Sequence, residues 1–293
     1  DIKNPILEDH DEENEPGPIE ALQTAIVENI ELYVMKYEEE FTKYLPTFTQ
    51  LIWKLLVETR MQPKYDNLVT SSIKFLTSVS SKRLNMGLFN DQALQEIIQQ
   101  IVVKNLTARE SDEELFEDNP SDYIRKDVEG SDHDTRRRCA IELVRSLLKF
   151  FGPQVSGICN TYVAGMLEDY RKTFNWHSKD SALHLVLACA ATNVTATELN
   201  PLINIQEIFN THILPEIQDA NDIDSRPIVK ADAIKLICIF RTHLPQPLLL
   251  QILPHVINHL KSKAVVIQTY CAMTIERFLS IRDKIQEGGI ETT

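Results

Sequence analysis

A small residue, an aliphatic one, a spacer and a second large apolar residue recur five times along this chain, each time inside a segment of helical periodicity. The copies are Ser72-Ile73-Lys74-Phe75, Ala140-Ile141-Glu142-Leu143, Ala182-Leu183-His184-Leu185, Ala233-Ile234-Lys235-Leu236 and Ala272-Met273-Thr274-Ile275. Measured from the small residue, they lie 68, 42, 51 and 39 residues apart. Leu45-Pro46, Leu214-Pro215 and Leu253-Pro254 lead or fall within further apolar stripes, which read as second helices of the same units. A two-helix unit cannot cover its own apolar face, so its neighbours must do it by stacking. The small residue lets those neighbours approach closely.

Units of about 40–47 residues have the size of HEAT repeats. A generic helical bundle also yields amphipathic segments, but the recurring spacing favours the array. Only 8 glycines and few hairpin signals argue against an all-β fold. The first helix is expected from Ile19 to about Glu40, with Ala21, Leu22, Ala25, Ile26, Ile30 and Val34 on its apolar stripe. The next follows Leu45-Pro46 and carries Phe48, Leu51, Ile52, Leu55 and Leu56. Residues 1–18 are acidic, contain three prolines and read as linker or disorder, and 284–293 read as a tail.

The interval of 68 residues is the odd one, and charge explains it. Between Glu110 and Asp134 stand eleven acids against Arg125 and Lys126, and six more acids lie between Glu8 and Glu15. These two segments carry more than the whole net charge of −13, leaving the helical body near neutrality. Residues 107–134 therefore read as an acidic insertion into the array at 19–283. Removing about 25 residues there brings the interval back to repeat size. Leu115, Phe116, Tyr123, Ile124 and Val128 are apolar anchors, and Gly130-Ser131-Asp132 offers a turn and helix cap. Long insertions in compact arrays are commonly functional. An acidic surface repels phosphate backbones, so a basic protein partner is expected rather than nucleic acid. Arg136-Arg137-Arg138, at the start of the following helix, either bind phosphate or an acidic partner or form a solvated first turn pairing with Asp132 and Asp134.

No catalytic site emerges. His255 and His259 have the i, i+4 spacing of a metal pair, but HVINH lacks the glutamate and a third ligand, so they read as exposed or boundary residues. Trp53 and Trp176 read as packing residues. Cys139, Cys159, Cys189, Cys238 and Cys271 are odd in number, form no C-x-x-C and sit among apolar residues, as reduced core thiols do. No apolar run suits a membrane span. Neither enzyme activity nor a cofactor is expected, and the ends read as those of a piece of a longer chain.

The strings LFEDNPSDYIRKDVEGSDHDTRRRCAIELVRSLLKFF, KYEEEFTKYLPTFTQLIWKLLVET, PIVKADAIKLICIFRTHLP and the acidic LEDHDEENEPG closely resemble the exportin branch of the importin-β (karyopherin) superfamily, from about Ile6 to Asp283. The resemblance implies a superhelix of HEAT repeats, of which this chain would be six to seven helix pairs. It also implies a monomeric shuttling receptor, in nucleus and cytoplasm, that binds Ran in its GTP form together with importin-α. GTP would be carried by Ran, and no cofactor by this chain. Carried over by motif, partner contact falls on Glu117, Asp118, Asp122, Tyr123, Arg125, Asp127, Glu129, Asp132 and Asp134. A HEAT scaffold or regulatory subunit without Ran dependence is the alternative.

Overall fold

The computed structural model describes residues 15–128, 134–193, 196–218 and 222–281. Among them the chain is helical throughout, with a lone antiparallel bridge between Ala191 and Leu199. It divides into two compact units, Asp1–Asn204 and Ile205–Thr293.

In the first unit α1 (Pro18–Lys36) ends where Tyr37 leaves helical geometry, and one turn, α2 (Glu38–Phe41), precedes α3 (Leu45–Glu58). Proline occupies the first turn of both α1 and α3, where its missing N–H costs nothing. Then come α4 (Asp66–Ser80) and a single helical run made of α5 (Asp91–Glu96), a π-helical stretch (Ile97–Val103) and α6 (Lys104–Leu106). The insertion supplies α7 (Glu110–Asp118) and α8 (Pro120–Asp127). It is followed by α9 (Arg136–Thr173) and α10 (Trp176–Ala190). Phe151, at φ −124° and ψ 31°, breaks α9 just before Gly152-Pro153, so its two halves are the two helices of one unit. Helix α4 packs between α1 and α9, and α10 packs on α9.

The second unit begins with one run: α11 (Ile205–Ile208), a π-helical stretch (Phe209–Ile213) and α12 (Leu214–Gln218). Pro215 has no N–H to give, and the widened stretch lies directly before it. The unit closes with α13 (Pro227–Phe240), α14 (Gln246–His259) and α15 (Val265–Leu279), α15 packing on both others.

The recurring small residues hold the stack. Ser72, Ala182 and Ala233 are fully buried at the centres of α4, α10 and α13, and Ala140 is fully buried in the second turn of α9. The α4–α9 contact is pinned by Ser80 Oγ donating to Ser146 Oγ at 2.9 Å. The fifth copy is one residue out of register: Ala272 is exposed, while Cys271 and Thr274 face inward. The stripe expected on α1 holds only at its end. Val34 is buried as expected, but Val27, not on that stripe, is the other buried residue, whereas Ala21, Leu22, Ala25 and Ile26 face outward, because α4 covers the other side of the helix. In α3 Leu51 is exposed and Thr49 is buried. All five cysteines are buried and free. No helix among the described residues is long and apolar enough to cross a membrane.

His259 is buried rather than exposed, which corrects the boundary reading of that residue. Its Nδ1–H donates to the His255 carbonyl at 2.8 Å. Burial holds its pKa below the usual 6.5, the His255 bond offsetting only part of that and Lys230 adding to it.

Two outcomes test this packing. Ala233→Leu should overpack α13 and cost about 1–3 kcal/mol, whereas Ala272→Leu should leave the melting temperature nearly unchanged. Below its ordinary pKa, His259 takes a proton in the unfolded chain but resists one in the fold. Stability should therefore fall as pH drops from neutrality through about 6.5, and His259→Gln should flatten that slope in thermal melts.

Candidate functional site

The insertion is a helical hairpin rather than a solvated loop. Phe116 on α7 and Tyr123 on α8 are buried, with Leu115 and Ile124 half-buried beside them, and the Phe116 and Tyr123 rings meet edge to face with centroids 5.0 Å apart. Asn119 separates the helices: its side chain accepts from the Asp122 N–H at 3.2 Å, and Pro120 begins α8.

What holds the hairpin is its root. Helix α3 ends at Glu58 and leaves carbonyls without helical partners. Lys104 Nζ, at the end of the run before the insertion, donates to the carbonyls of Thr59 at 2.7 Å and Val57 at 3.0 Å. Arg136, the first residue after it in α9, donates to the carbonyls of Arg60 at 3.3 Å and Gln62 at 3.1 Å, and its Nε reaches Asp66 at 2.6 Å. Arg109 adds a bond to the Met61 carbonyl at 3.2 Å. Its guanidinium also bridges two carboxylates, Asp66 at 2.7 and 3.1 Å and Asp112 at 3.1 Å. The Arg109 N–H donates to Asp112 as well, closing the first turn of α7.

Electrostatics follow the geometry. Burial opposes charge on Arg109, but the bonds to Asp66 and Asp112 overcome it and hold its pKa above the ordinary value. Burial pushes Asp112 upward, and Arg109 more than reverses this, leaving it below the usual carboxylate range. For Arg136 burial wins, lowering its pKa although Asp66 partly compensates. Lys104 is lowered by burial and by the nearby Arg136.

The expected contact residues separate into three groups. Glu117 and Asp118 are exposed, as are Glu110 and Glu114, which the sequence reading did not single out. Asp122 and Arg125 pair within α8, with Lys126 at 3.0 Å from Asp122, so that part of the surface carries its own counter-charges. The bond to Arg125, then that to Lys126, holds Asp122 below its usual range. Asp134 pairs with Lys74 of α4 rather than with the arginines.

Two readings are corrected. Tyr123 is buried against Phe116 and is part of the hairpin core, not its contact surface. Arg136 is buried too, so the triplet is no open basic patch. Arg137 reaches the fully buried Asp180 at 2.5 Å, and Arg138 reaches Glu142 at 3.3 Å. Asp127 lines a small cavity of about 70 Å³ with Asn105, Thr135 and Arg136. Glu129 and Asp132, like the cap read at Gly130-Ser131-Asp132, lie outside the described residues; Thr135 caps α9 by accepting from the Arg138 N–H.

Hairpin and root together form an acidic projection, clamped by cations and presenting carboxylates. The clamp was not legible beforehand, since Asp66 lies 43 residues from Arg109. Only Arg109 with Asp112 three residues on resembles a capping signal.

A family model described as Cse1 matches residues 1–275. Exportin-2 of Bos taurus and of Homo sapiens are each 45% identical over 288 residues, 96% of this chain and 30% of theirs. Exportin-2 of Danio rerio is 43% identical over 299 residues. A solved structure, the exportin Cse1 in its cargo-free, cytoplasmic state, superposes with a TM-score of 0.88 at 35% identity, covering 95% of this chain and 31% of that one. The chain thus spans about a third of the length of the relatives it matches, and its fold class is the all-α HEAT-repeat solenoid expected from the sequence.

Replacing Arg109 by Met should leave Asp66 and Asp112 without their bridge. A loss on the order of 2 kcal/mol is expected, tempered by the partial exposure of Asp66. Amide exchange should accelerate throughout α7 and α8 while that of α4 and α10 stays slow; uniform acceleration would contradict a local clamp.

Proposed function

We propose, from the premise that this chain belongs to the Cse1 family, that it is part of a nuclear export receptor of the karyopherin kind. The parent protein binds importin-α together with Ran in its GTP form and returns importin-α from nucleus to cytoplasm. The hairpin is a contact point for these partners. What supports this reading is one combination: a family match across almost the whole chain, and an acidic projection anchored to the stack, with Glu114, Glu117 and Asp118 directed to solvent. Such a surface attracts a basic partner by long-range steering, which salt weakens. Binding energy then comes from an extended repeat surface rather than from a pocket, so no catalysis and no cofactor on this chain are needed.

A pull-down with the full-length parent protein tests it, using importin-α with and without GTP-loaded Ran. Capture that requires both partners supports the proposal; capture indifferent to Ran leaves a HEAT scaffold. In the same assay Glu114→Lys, Glu117→Lys and Asp118→Lys together should reduce capture, most strongly at low salt. The melting temperature should barely move, since exposed positions usually change stability by within about 0.5 kcal/mol each.

A further inference from the structure

The second half of α9 carries a surface that neither the helix stack nor the hairpin uses. Gly157, Thr161 and Gly165 follow at four-residue intervals, share one face of the helix and are exposed. A Cβ added at Gly157 or Gly165 would meet nothing within 4 Å. Packing within the described residues therefore does not require glycine there, yet glycine inside a helix is unfavourable relative to alanine. These small residues floor a groove of about 930 Å³, near the upper end of the range of about 300–1,000 Å³ for ligand pockets. Ile158, Tyr162 and Met166 give it apolar walls, and Asp91 of α5 and Asp169 contribute carboxylates. Asp169 is held in place, accepting from Ser178 Oγ at 2.5 Å and Asn175 Nδ2 at 3.4 Å. Among the described residues lining the groove, none is a lysine or arginine.

We propose that this groove docks a partner helix, amphipathic, with its apolar side laid on the glycine floor and flanking Lys or Arg side chains set against Asp91 and Asp169. Charge selects the occupant. A lining with carboxylates and no cation repels acidic segments and favours a cationic one. Shape agrees, because the distance between packed helices is set by the side chains at the contact, and a floor of two glycines and one threonine admits a close approach. A helix in a groove is read through apolar anchors at i, i+3, i+4 and i+7. The groove shares no residue with the hairpin, so the proposal stands whether or not the transport reading does.

Fluorescence anisotropy on the full chain tests it. The probe is a labelled synthetic helix about five turns long, with Leu and Phe anchors and Lys/Arg flanks. Gly157→Leu with Gly165→Leu should fill the floor and cut affinity about tenfold or more. The same pair should hold or raise the melting temperature, because leucine is the better helix former and its Cβ has open space. Asp91→Asn with Asp169→Asn should weaken binding severalfold and flatten its salt dependence. That pair decides the question even if the leucines disturb folding. Unchanged affinity in either pair would overturn the proposal, as would equal binding of a peptide with Glu/Asp flanks or of an uncharged extended peptide.

Discussion

The carbonyl end of α3 is the point on which the acidic hairpin depends. A helix terminus concentrates partial negative charge on carbonyls that have lost their partners. Here Lys104 takes the Val57 carbonyl in the last turn of α3, Lys104, Arg109 and Arg136 take those of residues 59–62 just beyond it, and Asp66 supplies the full negative charge that lets two guanidiniums sit together. Both ends of the insertion are thereby tied to one spot on the stack. Closing a chain excursion this long costs conformational entropy, and the shared anchor keeps that cost from loosening the hairpin.

Beneath it, the stack follows from residue size. Where Ser72, Ala140 and Ala182 meet their neighbours, side chains offer little bulk, and α1, α4, α9 and α10 pack in succession with aliphatic residues filling the seams. This layering places the acidic hairpin on a firm base. The arginine triplet belongs to the base rather than to the recognition surface: each of its members answers an acid of the same chain, on α4, α10 or α9 itself.

What the sequence revealed and what it hid divide along one line: periodic, local features were readable, and long-range pairing was not. The helix start at Leu45, that of α1 within one residue of the expected Ile19, and the burial of Ser72, Ala140, Ala182 and Ala233 followed from local pattern. The face of α1 followed only in part: Val34 was on the expected stripe, but Leu22 and Ile26 fit the periodicity as well as Val27 does, and only the position of α4 chooses between them. Ala272 misled for a related reason: Cys271 beside it is also small, and it is the one turned inward. At the site, the acidic segment and its aromatic anchors were visible, Tyr123 among them; only the carry-over by motif set Tyr123 on the contact surface, whereas it is buried against Phe116. Charge and the odd repeat interval located the segment, and the resemblance assigned contacts on it; neither could tell that Asp122 is answered by Arg125 and Lys126 on its own helix.

The break at Phe151 has a consequence for how this chain can vary. The two halves of α9 are joined by one non-helical residue with no slack loop between them. One added or deleted residue there would turn the second half by about 100° against the first. Arg136 at one end and the glycine face at the other are thus locked in angular phase. Substitution near the joint changes fit; a change in length would swing the glycine face away from its present direction while leaving the arginine anchored, so the segment from 136 to 165 should tolerate new side chains far better than a new residue count.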